Sequence, residues 1–173
     1  MLFRSLKQGD SVVEIGCGTG LNFKYILRDI GESGTLIGVD LTDSMLANAA
    51  ERIEKNGWNN VELVRNDAAL YVFPDEIDGV LSTFALTLVP EYEEVIKNAS
   101  QALSAGGRFV VLDFKKPEKW PLWLVKFFVI LTRPFGVTLD LAERKPWEAM
   151  QKCFSHVYMT ELYGGLIYIA TGG

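Results

Sequence analysis

The sequence predicts an α/β fold, a layered structure built on a mostly parallel sheet. Three observations lead there. First, Ser11 to Asn22 reads S-V-V-E-I-G-C-G-T-G-L-N: an apolar, β-branched run, then glycine at every second position, then residues at helical spacing. Second, strand-like segments at 35–39, 61–64, 77–83 and 109–112 alternate with segments of helical period, the pattern of strand–helix–strand units. Third, 173 residues with 49% hydrophobic and 23% charged residues fit one globular domain, 1–173, with a core of its own.

Leu2 to Gln8 reads as the tail of a short helix, and Gly9-Asp10 turns the chain into the first strand. Val12, Val13 and Ile15 give that strand the continuous apolar character of a parallel strand buried on both faces. Gly16, Gly18 and Gly20 then allow a sharp backbone turn and close approach of a ligand. Leu21, Tyr25 and Ile26, widened by Leu27 and Ile30, form the apolar stripe of the first helix. Strand, glycine turn and helix make the first unit of a nucleotide-binding sheet, whose helix N-terminus presents backbone N–H groups. The dinucleotide fingerprint G-x-G-x-x-G/A fails, because counting from Gly16 its last place falls on Leu21. What stands here is E-x-G-x-G-x-G, with Glu14 two residues before the first glycine. A tight turn without a ligand is the other reading. Cys17 is a small side chain inside that turn.

Gly31 to Gly34 is a turn, and Thr35 to Val39 the second strand, ending at Asp40. An acidic residue about 20 positions beyond the glycine turn accepts hydrogen bonds from ribose hydroxyls; capping the next helix is the alternative. Thr42-Asp43-Ser44 offers caps for a helix over Met45–Lys55, with Met45, Leu46, Ala49, Ala50 and Ile53 as its apolar face. Leu41 and Met45 either flank a base or join the core. Asn56-Gly57 stops the helix. Val61 to Val64 is the third strand, followed by Arg65-Asn66-Asp67-Ala68, where Asp67 also fits as the cap of a one-turn helix through Tyr71.

Ile77 to Thr83 is the fourth strand, whose C-terminal end opens at the topological switch point where such sheets bind ligands. Glu91 to Leu103 is a helix with Val95, Ile96, Ala99 and Leu103 inward, Ser104 to Arg108 a turn, and Phe109 to Leu112 the fifth strand, with Asp113 at its end as a candidate substrate contact. The apolar segment 120–131 falls short of the roughly 20 residues a bilayer span needs. An aromatic lid, a dimer interface, an interfacial membrane anchor and a plainly buried helix remain open for it. Pro146 starts a helix through Cys153, and Phe154–Met159 and Leu166–Ala170 read as closing strands. His156, the only histidine, reads as structural, and no Cys/His spacing suggests a metal.

A formal charge of −5 argues against nucleic acid as a partner. Two cysteines give no disulfide scaffold, so a reducing cytoplasm is expected, and the first residues lack the apolar core of a signal peptide.

In order and spacing, E-x-G-x-G-x-G, Asp40, N-D-A at 66–68, I-D-G-V-L-S-T at 77–83 and L-S-A-G-G-R-F-V-V-L-D at 103–113 resemble the class I S-adenosylmethionine-dependent methyltransferases. Within them the chain is similar to the branch of ubiquinone/menaquinone C-methyltransferases and bacterial phospholipid N-methyltransferases. The resemblance spans about residues 8–171. It implies a three-layer, Rossmann-like, doubly wound sheet of seven strands, mostly parallel, with an antiparallel last strand beside the fifth. It implies S-adenosyl-L-methionine as cofactor and S-adenosyl-L-homocysteine as product. Glu14, Gly16, Cys17, Gly18, Gly20 and Asn22 would then surround the methionyl portion, Asp40 the ribose, and Leu41, Met45, Asn66, Asp67 and Ala68 the adenine. Ser82, Thr83 and Phe84 would lie nearest the transferable methyl.

The sequence departs from the family at Ala105, where proline is usual. Ser82-Thr83-Phe84-Ala85 stands where enzymes acting on DNA bases or glutamine amides carry Asn/Asp-Pro-Pro-Tyr. Many members of the family carry a longer N-terminal helix that covers the cofactor; this chain begins almost at the first strand, which leaves that cover open. The sulfonium carbon is already electrophilic, so catalysis is mainly alignment, and no general base is named. The expected acceptor is a small molecule; a lipid- or quinone-like one, with peripheral membrane contact through 120–131, follows if that segment is a lid or anchor. Two rivals remain: a non-catalytic S-adenosylmethionine-binding module, and an NAD or nucleotide-sugar enzyme on the same sheet. Oligomeric state is open.

Overall fold

In the computed structural model, which describes residues 6–117, 120, 121, 141 and 144–173, seven strands form one sheet. They are β1 (Ser11–Ile15), β2 (Thr35–Asp40), β3 (Val61–Arg65), β4 (Ile77–Thr83), β5 (Leu103–Phe114), β6 (Val157–Leu162) and β7 (Ile167–Gly172). The order across the sheet is β3-β2-β1-β4-β5-β7-β6. The first five are parallel, and β7 runs antiparallel between β5 and β6. Helices α1 (Phe23–Ile30), α2 (Asp43–Asn56), α3 (Tyr92–Ala102) and α4 (Pro146–Cys153) accompany it. This is the doubly wound, three-layer arrangement expected from the sequence, with the last strand antiparallel.

Alternation along β1 assigns its side chains to two cores. Val13 and Ile15 join Val39, Val80, Phe109 and Val111 under α3 and α4, meeting Ile96, Ala99, Met150 and Tyr168. Val12 joins Leu36, Leu81 and Val110 under α1, meeting Phe23, Ile26 and Ile30. Burial on both faces is the reason these strands read as largely apolar rather than alternating. Each fully buried isoleucine or phenylalanine contributes about 1.5–3 kcal/mol. Asp78 ties β1, β4 and β5 together at the edge away from the site: its carboxylate accepts from the Ser11 N–H at 2.9 Å and the Ser104 hydroxyl at 3.0 Å.

Several expected boundaries move. Residues 6–8 are not helical; the Gly9 N–H instead donates to the Ile30 carbonyl. Helix α1 starts at Phe23, leaving Leu21 63% and Tyr25 41% exposed, so neither belongs to the core. Helix α2 buries only Ala49 fully; Met45, expected in its apolar face, lines a cavity instead. Asp67 begins a turn, not a helix: its carboxylate accepts from the Ala69 N–H at 2.9 Å. Strand β5 continues back through the expected turn to Leu103, which pairs with Ile77 across a register irregularity. Strand β6 starts only at Val157, so Phe154 and His156 precede it. Of the apolar segment 120–131 only Trp120 and Pro121 fall within the described residues. Among the described residues no helix is long and apolar enough to cross a membrane.

Candidate active site

At the C-terminal end of β1 the chain turns through Gly16, Gly18 and Gly20, whose φ values are +67°, +55° and +70°. Positive φ is costly for residues with a Cβ. At Gly16 space is also lacking, since a Cβ would come within 2.1 Å of the Ala85 Cβ. At Gly18 the reverse holds: nothing lies within 4 Å of a Cβ position, so bare backbone faces open space. The turn is tied to the tip of β2. The Gly16 and Cys17 N–H groups donate to the Val39 carbonyl at 2.8 and 3.0 Å. The Gly18 N–H donates to Asp40 Oδ2 at 2.9 Å, and the Thr42 N–H donates to Asp40 Oδ1, also at 2.9 Å. Each Asp40 oxygen keeps a further lone pair.

These tips enclose a cavity of about 770 Å³. One end is polar, with Gly16, Cys17, Gly18, Asn22, Asp40, Asn66 and Asp67 in its wall, and Leu41, Met45 and Ala68 beside them. The other end is apolar, formed by Phe84, Ala85, Leu88, Val89, Pro90 and Leu112. Thr83 stands between the two. Most of the proposed site residues are thus brought to one cavity.

Glu14, Gly20 and Ser82 are not in the wall; Glu14 and Ser82 are wholly buried behind it. Glu14 works at one remove: Asn22 Nδ2 donates to Glu14 Oε1 at 2.6 Å and to Thr83 Oγ1 at 2.8 Å. Both amide hydrogens face the protein, which turns the Asn22 carbonyl oxygen away from these partners. Burial pushes the Glu14 carboxyl up to about 7, offset in part by the Asn22 and Thr83 side chains. Burial, and then the Glu14 and Asp40 charges, push the Cys17 thiol up as well, so it stays protonated and unreactive near neutrality.

The raised Glu14 carboxyl has a measurable sign. Between the unfolded value of 4.5 and about 7 the folded protein holds a proton that the unfolded chain has released. Stability contributed at Glu14 therefore falls as pH rises through that window, by about 3 kcal/mol in all. Denaturant unfolding at pH 5 and pH 7.5 is expected to show a smaller loss in Glu14→Gln than in wild type, because the amide does not titrate. Equal losses would contradict the burial of this charge.

Asp113 does not reach the cavity, contrary to its expected role as a substrate contact. It is 2% exposed, and its oxygens accept from the Thr87 and Phe114 N–H groups at 2.8 Å each. Alternation places its neighbour Leu112 in the wall instead. The apolar wall at 85–90 carries no motif, and only the position after β4 hinted at it. The cavity suits an adenosyl amino acid better than a diphosphate. Bare backbone opens on it at Gly18, two aspartates, Asp40 and Asp67, stand in its wall, and no Lys or Arg among the described residues lines it.

Residues 12–107 match the family described as "Methyltransferase domain". Ubiquinone/menaquinone biosynthesis C-methyltransferase UbiE of Salmonella arizonae is 35% identical over 119 residues, covering 68% of this chain and 47% of the relative. The chain thus spans about half the length of the curated relatives it matches. A SAM-dependent methyltransferase from Aquifex aeolicus superposes with a TM-score of 0.70 at 20% identity, over 96% of this chain and 83% of that one. A Haemonchus contortus phosphoethanolamine N-methyltransferase 2 in complex with S-adenosyl-L-methionine superposes with a TM-score of 0.73 at 23% identity, over 92% and 36%. Family match, sequence identity, sheet order and a cleft shaped for an adenosyl amino acid agree, and the chain belongs to the class I S-adenosylmethionine-dependent methyltransferases.

Proposed function

We propose that this protein transfers a methyl group from S-adenosylmethionine to a small, lipophilic acceptor with a quinone- or lipid-like body. The observation that supports it is the two-ended cavity, polar at the glycine turn and apolar from Phe84 to Pro90 and Leu112. When bound, S-adenosylmethionine supplies a methyl carbon made electrophilic by the attached sulfonium. The chain's own task is placement. The backbone at Gly16 and Gly18 and the Asn22 carbonyl oxygen hold the amino-acid end, with Asn22 oriented by Glu14 and Thr83. Asp40 accepts from the ribose hydroxyls on lone pairs not used by the Gly18 and Thr42 N–H groups. Asp67, Asn66 and Ala68 meet the adenine edge, and Leu41 and Met45, 61% and 43% exposed, cover its faces. Leu88, Val89 and Leu112 exclude water from the acceptor side, which strengthens the polar contacts beyond them. Alignment within such a site accounts for most of what the reaction needs. The quinone-like acceptor is favoured by the name of the Salmonella relative, a ubiquinone/menaquinone C-methyltransferase.

Titration calorimetry with S-adenosylhomocysteine, NAD and a nucleotide sugar tests the cofactor, and turnover of labelled S-adenosylmethionine with quinone and lipid extracts tests the acceptor. Binding of S-adenosylhomocysteine alone, with label passing into an organic-soluble product, is expected. Binding without turnover on any extract would leave a binding module and overturn the enzymatic reading.

A further inference from the structure

The first residue beyond β4 is Phe84, and its backbone is left-handed, with φ +54°. Any residue with a Cβ is disfavoured there, and a bulky aromatic more than most. Glycine would take the turn without strain. Nor does the core call for the ring, since Phe84 is 42% exposed and lines the cavity. The strained geometry is nevertheless firmly held. The Phe84 N–H donates to the Leu112 carbonyl at 2.8 Å. Three residues on, the Thr87 N–H donates to Asp113 Oδ2 at 2.8 Å, and an Arg144 guanidinium N–H donates to the Thr87 carbonyl at 2.7 Å. The ring itself leans on Phe114, with centroids 4.8 Å apart and planes at 38°. Its neighbour Ala85 is pressed against Gly16, so Phe84 is the first large side chain beyond the glycine turn on the acceptor side.

We propose that Phe84 is the residue that selects the acceptor: its buttressed ring is a platform against which a flat, unsaturated ring lies. The proposal rests on the methyltransferase reading of the cavity and deepens it by naming the acceptor's shape. Aromatic rings prefer offset or edge contacts with other π-systems, and a pre-positioned ring gives that contact without first being ordered. A saturated ring of equal size is thicker and lacks the π-face, so it gains less here.

The test uses the protein saturated with S-adenosylhomocysteine and two probes, naphthol and decahydronaphthol, titrated by calorimetry. Wild type is expected to prefer naphthol by about tenfold, the scale of one aromatic contact. Phe84→Gly is expected to lose that preference, keep its affinity for S-adenosylhomocysteine, and melt close to wild type, the relieved backbone strain offsetting the lost contact with Phe114. Phe84→Trp is expected to keep the preference. An undiminished preference in Phe84→Gly, the absence of any preference in wild type, or a fall in both melting temperature and S-adenosylhomocysteine affinity in Phe84→Gly would each overturn the proposal while leaving the cofactor site standing. Failure of wild type to bind S-adenosylhomocysteine would sink the methyltransferase reading, and this proposal with it.

Discussion

A Gly16→Val variant is expected to lose S-adenosylhomocysteine binding by more than about a hundredfold while remaining folded. Two penalties coincide at this position. The backbone sits at φ +67°, where a β-branched residue loses about 1–2 kcal/mol. The new Cβ would also stand 2.1 Å from the Ala85 Cβ, and relieving such overpacking typically costs about 1–3 kcal/mol. Their sum is a large part, but not all, of a typical folding free energy of about 5–15 kcal/mol. The chain's cheapest escape is to move the 16–20 turn away from Ala85, and that displaces the backbone proposed to hold the amino-acid end of the ligand. Gly18→Ala separates strain from collision. Its Cβ meets no protein atom within 4 Å, so its melting temperature is expected to fall less, yet the methyl projects into the space proposed for the ligand. Calorimetric titration together with thermal melts of both variants makes the comparison. Wild-type affinity in Gly16→Val would mean that the ligand does not sit on this turn.

The second large effect is expected from Asp40→Ala, which should weaken S-adenosylhomocysteine by about 1–3 kcal/mol, or roughly 5–150-fold. This carboxylate has a structural and a proposed binding task, and they are separable. Without ligand, the loss of acceptors for the Gly18 and Thr42 N–H groups lowers the melting temperature directly. With saturating ligand, the increment in melting temperature reports binding to the folded state alone. A variant whose baseline drops but whose ligand-induced increment equals that of wild type would show that Asp40 serves only to tether the glycine turn to β2.

Both variants act on features that can be read from the sequence, and the reason is physical. The glycine turn works through its backbone, so its requirements appear as an absence of side chains, a pattern that composition alone displays. Asp40 is legible because strand length and helix length set the distance between the turn and the tip of the next strand. The apolar wall at 85–90 is not legible in this way. Leu88, Val89 and Pro90 look like any core residues, and whether an apolar side chain meets other side chains or an open cleft is decided by elements far away in the chain. Leu21, Tyr25 and Met45 were expected within an apolar helix face and are instead 63%, 41% and 43% exposed, for the same reason. Asp113 shows the sensitivity of strand ends: one residue of parity separates a cavity wall from the interior, and Leu112 holds the place expected for its neighbour. The left-handed turn at Phe84 leaves no mark at all, because its sequence offers neither glycine nor asparagine to announce it.

The position of β7 bears on how the protein is made. Every strand that carries the cleft, β1 to β5, precedes β6, whereas the slot between β5 and β6 is filled last, by residues 167–172. During synthesis the nucleotide half can close on itself while one side of β5 still presents unsatisfied ladder groups to the cell. Such a bare edge invites pairing with other nascent chains. Early occupancy by the ligand would stabilise the finished half and shorten the aggregation-prone interval, coupling cofactor supply to yield in vivo.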